Sequence, residues 1–228
     1  LIMFALSAAS ASQAQTPIHL SVVLDNHKDQ ADLSPIDRYA EFLGALELEG
    51  ETNFGGAWFL DNEEAVVQFS TIGGSDWKRG VTAMDRQKPR GKERTVQLVI
   101  DSAVSYMMAF DSTGQKRTLV VVLAGPAGDA TALGELTSEI KGGGIVAFTV
   151  ALGEAADKPF LKKLSGDTGG HYYEATDSDS LATALTALGK NLSAHQKGQP
   201  TVASPAEKDN GAAEAKAAEE AKKKAREE

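Results

Sequence analysis

The sequence predicts an α/β domain, doubly wound, with a mostly parallel central sheet flanked by helices in three layers. Three observations carry that prediction. Between Pro17 and Leu192 short apolar runs alternate with longer amphipathic ones, the pattern of strand and helix in turn. Two of the runs, LVVVLA from Leu119 and IVAFTVAL from Ile145, are apolar nearly throughout, as strands buried on both faces must be. Most of the helical stretches open on a residue that caps a helix, and several close on glycine.

The first strand is IHLSVVL from Ile18, and it ends in Asp25. A helix follows in SPIDRYAEFLGALEL, with Ser34 as N-cap and Pro35 at the first helical position, where its missing N–H costs nothing. The stretch ELEGETNFGGAWFLDNEE reads as a strand GAWFL joined through Asp61-Asn62 to the strand EAVVQFS, making a hairpin; the alternative is an irregular extension of the first helix. The glycine pairs that begin at Gly55 and Gly73 read as loops or bends. Trp58 and Trp77 beside them either cover core edges or offer an aromatic contact to a partner. Helix TVQLVIDSAVSYMMAF leads into strand RTLVVVLA, and helix DATALGELTSEIK into strand GIVAFTVAL. Gly142 to Gly144 end the second of these helices and supply a left-handed residue before the strand; they precede a strand, not a helix, which argues against a phosphate cradle. Helix DKPFLKKLSGDTG, the short strand HYYEA and helix DSDSLATALTALGKNL complete the domain.

Composition sets limits on function. The chain has 23 Lys+Arg against 32 Asp+Glu, a net charge of −9. That balance repels nucleic acid and offers no basic surface to an anionic membrane. There is no cysteine, hence no disulfide, thiolate metal site or cysteine nucleophile. Residues 1–14 read as the remnant of a signal peptide, apolar and then small, with Ser12 and Ala14 at the −3 and −1 positions before Gln15, so the protein is expected to be exported, periplasmic or extracellular. No later run approaches the length of a membrane span. Residues 193–211 read as a flexible linker. Residues 212–228 form a charged Ala/Glu/Lys-rich tail, helical or disordered, with spacings such as Glu219 to Lys223 that suit a solvated spacer helix.

The strand ending in Asp25, the VIDSAV helix, the RTLVVVLAGPAGD strand and loop, and above all the final IVAFTVALGEAADKPFLKKLSGDTGGHYYEATDSDSLATAL resemble the von Willebrand factor A domain of exported bacterial proteins. The resemblance covers residues 17–192 and implies a Rossmann-type three-layer sandwich. It also implies a metal-ion-dependent adhesion site at the carboxyl ends of the central strands, where open α/β sheets place ligands. In the family that site is built from DxSxS after the first strand, a threonine in a later loop and the aspartate of a TDG sequence, which hold Mg²⁺ through oxygen and leave one position for a partner's carboxylate. Here Asp25 stands first, but His27 and Asp29 replace the two serines. The threonine position falls on Gln97, with Thr82 and Thr95 as alternatives, and Ala124, Gly125 and Pro126 stand where TDG would be. The expected site is therefore degenerate, with no cofactor. The alternative is a divalent cation such as Mg or Mn, or one that accepts imidazole, held by Asp25, His27, Asp29 and Asp129.

No HExxH, GxSxG or phosphate-binding motif is present, and His19, His27, His171 and His195 have no ligand spacing, so no catalytic residue is assigned and the chain is expected not to be an enzyme. A hydrolase on an unrelated doubly wound fold would need Ser21, Ser70 or Ser165 against a histidine. The reading that follows is a protein-binding or scaffold module whose partner is another protein, met by a rim of Asp25, Asn26, Thr82, Gln97, Gly125 and Pro126.

Overall fold

An apolar run flanked on each side by further apolar runs becomes a central strand, and the strand from Ile18 does so here. The computed structural model describes residues 16–26, 35–48, 53–60, 65–84, 86, 96–109 and 114–202. The elements run β1 (Ile18–Leu24), α1 (Pro35–Gly44), β2 (Phe54–Phe59), β3 (Ala65–Thr71), α2 (Ser75–Met84), α3 (Val96–Ala109), β4 (Lys116–Leu123), α4 (Ala130–Gly142), β5 (Ile145–Leu152), α5 (Lys158–Thr168), β6 (Tyr172–Ala175) and α6 (Ser178–Gln196). They form one sheet in the order β3-β2-β1-β4-β5-β6, parallel except for β3. This is the doubly wound α/β fold the sequence predicts. Residues 1–14, read as a signal-peptide remnant, Ser34, Asp61 and Asn62, Thr95 and residues 203–228 lie outside the described residues.

Side-chain alternation along each strand separates two cores. Leu20, Val22 and Leu24 of β1 join Val120, Val122 and Phe148 under Tyr39, Trp77 and Leu188 of α1, α2 and α6. Val23 joins Leu119, Val121 and Leu123 on the opposite face, under Ile100, Leu136 and Leu164 of α3, α4 and α5. Burial on both faces is what makes β1, β4 and β5 apolar along most of their buried length.

Two local readings are corrected. Gly55 and Gly56 lie inside β2, which pairs antiparallel with β3 as the hairpin reading expected. The Gly73-Gly74 stretch is a turn that opens a helix, α2, absent from the sequence reading. Its buried Trp77, Val81 and Met84 recur at helical spacing, and Trp77 Nε1 donates to the Leu43 carbonyl at 3.1 Å, so this tryptophan belongs to the core. Gly80 hides the pattern by its low helix propensity, yet the packing needs it: a Cβ there would stand 3.0 Å from Val67 Cγ1 and 3.3 Å from Val67 Cα.

The linker boundary also moves. Helix α6 continues to Gln196, which is buried and donates to Asn53 Oδ1 at 2.9 Å, so residues 193–196 belong to the domain. The TGGHYY stretch has a steric explanation. Gly169 caps α5 at φ 80°, and a Cβ on Gly170 would stand 1.9 Å from the Ala147 carbonyl oxygen of β5.

Gly170→Ala is accordingly expected to cost about 3 kcal/mol or more, because backbone must move to admit the methyl group. Gly134→Ala, in α4 with open space at the Cβ position, is expected to gain about 0.5–1 kcal/mol. Urea denaturation of the two variants checks both. At the end of α6, burial and then the Lys116 charge lower the His195 pKa from 6.5 to about 4. The unfolded chain binds this proton more readily, so the contribution is full above pH 6.5 and disappears as pH falls toward 4. His195→Gln should flatten that part of the pH–stability curve.

Candidate functional site

The chain winds outward from β1 to β3, then crosses back to β4 and winds the other way to β6. The carboxyl ends of β1 and β4 therefore flank the point where the winding reverses, which leaves a crevice between the loops that follow them. Asp25 stands on one side of it and Ala124-Gly125-Pro126 on the other.

Asp25 is fully buried. Its amide donates to the Val122 carbonyl at 3.0 Å, and its carboxylate Oδ2 accepts from the Ala124 amide at 2.8 Å. Its carbonyl accepts from the Tyr39 hydroxyl of α1 at 2.9 Å. One residue thus ties together the ends of two central strands and the helix that covers them. Tyr39 is itself enclosed, and its burial first, then the Asp25 charge, push the phenol well above its ordinary pKa, so it stays a neutral donor. Asn26 is also buried, and its Oδ1 has no hydrogen-bond partner.

The other expected residues are distributed differently. His27 and Asp29 lie outside the described residues. Asp129, expected to reach back toward Asp25, is instead the N-cap of α4: its exposed Oδ1 accepts from the amides of Thr131 and Ala132, each at 3.0 Å. Thr82, expected in a rim loop, lies on the exposed face of α2 and donates to the Lys78 carbonyl at 2.8 Å. Gln97 is the second residue of α3 and exposed; because α3 leads into the amino end of β4, its own start lies at the carboxyl edge of the sheet. Gly125 is buried and Pro126 exposed. Among the described residues no three acidic, histidine or cysteine side chains come together.

Sequence reasoning read Asp157 only as the start of a helix. It caps α5 by accepting from Phe160 N at 3.1 Å, and its second oxygen lies 3.4 Å from the Ala127 amide. Its own amide donates to the Gly125 carbonyl at 3.1 Å. Asp157 therefore holds the loop after β4 to the loop after β5. The DKP sequence signals the cap, but no spacing signals the cross-loop bonds.

Among the described residues, the hydroxyls of Ser21, Ser70 and Ser165 are bonded to main-chain carbonyls and not to a histidine. Ser21 donates to the Ala103 carbonyl at 3.0 Å, Ser70 to Gln68 at 3.0 Å, and Ser165 to Leu161 at 3.1 Å. The described histidines lie toward the other edge of the sheet: His19 in β1 between the rings of Phe54 and Phe69, His171 just before β6, and His195 at the end of α6. Burial, then the Arg117 charge, lower the His19 pKa and keep it neutral.

A family model, "von Willebrand factor type A domain", matches residues 42–187. Comparison with curated protein sequences gives no significant match. Among solved structures, proximal thread matrix protein 1 from the mussel byssus is similar at TM-score 0.62 and 12% identity, covering 78% of this chain and 47% of that one. The chain thus spans about half of that structure. The conserved hypothetical protein BatB from Bacteroides thetaiotaomicron is similar at TM-score 0.61 and 12% identity, covering 77% of this chain and 97% of that one. A von Willebrand factor type A structure from Catenulispora acidiphila gives TM-score 0.58 and 14% identity, covering 79% and 43%.

If Asp25 clamps the strands, Asp25→Ala removes the carboxylate that accepts the Ala124 amide and should cost about 2–3 kcal/mol in EDTA. Asp25→Asn keeps an acceptor and should cost about 1 kcal/mol. Chemical denaturation of both variants, read as a difference in midpoint at constant slope, measures this.

Proposed function

Because this chain belongs to the von Willebrand factor type A domain family, we propose that it is a non-enzymatic protein-binding or scaffold module of an exported protein, working without metal at the family's usual site. Domains of this family are interaction and adhesion modules. The observation that carries the reading is the state of Asp25. Its carboxylate accepts the Ala124 amide, and the residues facing it across the crevice, Ala124, Gly125 and Pro126, bring no side-chain oxygen. Mg²⁺ demands a near-ideal octahedron of oxygen ligands at about 2.0–2.1 Å, and the donors described here do not fit that demand.

Asp25 in this reading is a structural clamp, and recognition falls to the rim around it. Gln97 and Pro126 are exposed there, and Asn26 brings a buried carbonyl oxygen. The rim is braced from beneath by Asp157, so a partner meets loops already held in place, which lowers the ordering cost of binding. Export rests on the apolar and then small residues 1–14, with Ser12 and Ala14 at the cleavage positions. No helix among the described residues is long and apolar enough to cross a membrane.

A second reading draws on His27 and Asp29, which follow Asp25 by two and four residues and bring an imidazole and a carboxylate. With Asp25 they make a ligand set for Mn²⁺ or Zn²⁺ in place of Mg²⁺.

Thermal unfolding of the chain in EDTA, then in Mg²⁺, Mn²⁺, Ca²⁺ and Zn²⁺, separates the two. A ligand that binds only the folded state raises the midpoint by mass action. The metal-free module should hold its midpoint within about 1 °C in every ion. A rise of several degrees in Mn²⁺ or Zn²⁺ that His27→Ala abolishes would establish the altered ligand set instead. Once a partner is in hand, Gln97→Arg and Pro126→Arg should weaken it about tenfold or more, while Lys163→Glu on α5 should not.

A further inference from the structure

Helices α1 and α6 each follow a parallel strand, so both run from the carboxyl edge of the sheet toward its amino edge. Between them on the flank of the domain lies a groove of about 400 Å³. Phe42, Leu46 and Leu185 give it apolar walls, and small residues on both sides, Ala45, Ala182 and Gly189, let another backbone come close. Charge is unevenly placed along it. The end nearer the carboxyl edge carries three acidic residues, Asp37, Glu41 and Asp179, around Arg38, while toward the other end Lys190 and Lys197 outnumber Glu47.

The chain that leaves the domain is turned back beside this flank. Past α6, Gly198 takes φ 66° and donates to the His195 carbonyl, Gln199 donates to Ala194, and Pro200 prevents the helix from resuming. The returning strap is held by main-chain recognition. Asn191 Nδ2 donates to the Val202 carbonyl at 2.8 Å and to the Tyr173 hydroxyl at 2.6 Å, and its Oδ1 accepts the Val202 amide at 2.9 Å. Thr201 Oγ1 lies 2.5 Å from His171 Nε2. The last described residue, Val202, therefore lies alongside α6, level with Asn191, and not beyond the end of the helix. Residues 203–211 reach about 30 Å when extended, and a helix with its side chains is about 10–12 Å across, so this length suffices to round α6 into the groove.

The residues that follow suit it. Ala213, Ala217, Ala221 and Ala225 are spaced by four and would share one helical face. Glu214 lies near the start, and Lys222, Lys223, Lys224 and Arg226 lie toward the end. We propose that residues 212–226 dock in cis as a helix in the α1–α6 groove, antiparallel to both helices. The alanine face then meets Ala45, Ala182 and Gly189, the basic end meets Asp37, Glu41 and Asp179, and Glu214 meets Lys190 and Lys197. The tail lies against its own domain and is not a spacer.

The absence of cysteine allows a direct test on the full chain. Thr186 lines the groove and Ser138 lies exposed on α4, across the sheet. In Thr186→Cys/Ala217→Cys, oxidation should form an intramolecular disulfide at least about tenfold faster than in Ser138→Cys/Ala217→Cys, because docking raises the effective concentration. Gly189→Leu, whose Cβ would make only an ordinary 3.8 Å contact with Phe42, should fill the groove and bring the first rate down to the second. Reversal of Lys222, Lys223 and Lys224 to Glu should slow it as well. Equal rates in the two pairs, insensitivity to Gly189→Leu, or disulfide-linked dimers whose yield rises with protein concentration would each overturn docking in cis.

Discussion

The constraint on which the rest of this structure depends is the closure at the carboxyl end of β1. A carboxylate buried in an apolar setting must be hydrogen-bonded or it will not remain there. Asp25 meets that condition through the Ala124 amide, while its main chain meets Val122 and Tyr39. Those bonds fix the ends of the two strands between which the winding reverses, and they seat α1 over them. At the end of the first strand, Asp25 is what holds the crevice in shape. Asp157 repeats the device one strand further along, bracing the loop after β4 from the loop after β5.

Around that closure the fold is set by how near its layers approach. Strands buried on both faces leave no room for error, and the glycines at the closest contacts show where. Gly80 lets α2 rest on Val67, and Gly170 lets the chain entering β6 pass the Ala147 carbonyl. Neither needs a left-handed backbone; each is required because a methyl group has no space. The opposite edge of the sheet is held by polar side chains. Asn53 accepts from the Ile18 amide and from Gln196, and Asn191 grips Val202. These bonds extend the domain beyond the point where the apolar pattern ends.

The legibility of the fold follows from these particulars. The doubly wound sheet could be read because β4 from Leu119 onward and β5 are apolar nearly throughout, which only double-sided burial explains. Helix α2 escaped notice because its core face is only Trp77, Val81 and Met84, and its glycines resemble loop punctuation. Asp25 was picked out as the residue that matters at the strand end, but its role as a clamp was not visible, because its partner lies 99 residues away. Asp129 and Thr82 each make local bonds within or at the start of their own helices, which short-range sequence spacing does not separate from a role at the rim.

The sequence by itself determined the class of fold, the alternation of elements and most of the caps. All of these are written in local periodicity or in residue types at short spacing. Tertiary structure alone decided which oxygen meets which amide across the crevice, which glycines are needed for space, and where the last helix turns the chain back. Those outcomes depend on contacts between residues far apart in sequence, and no local pattern records a distance that only folding creates.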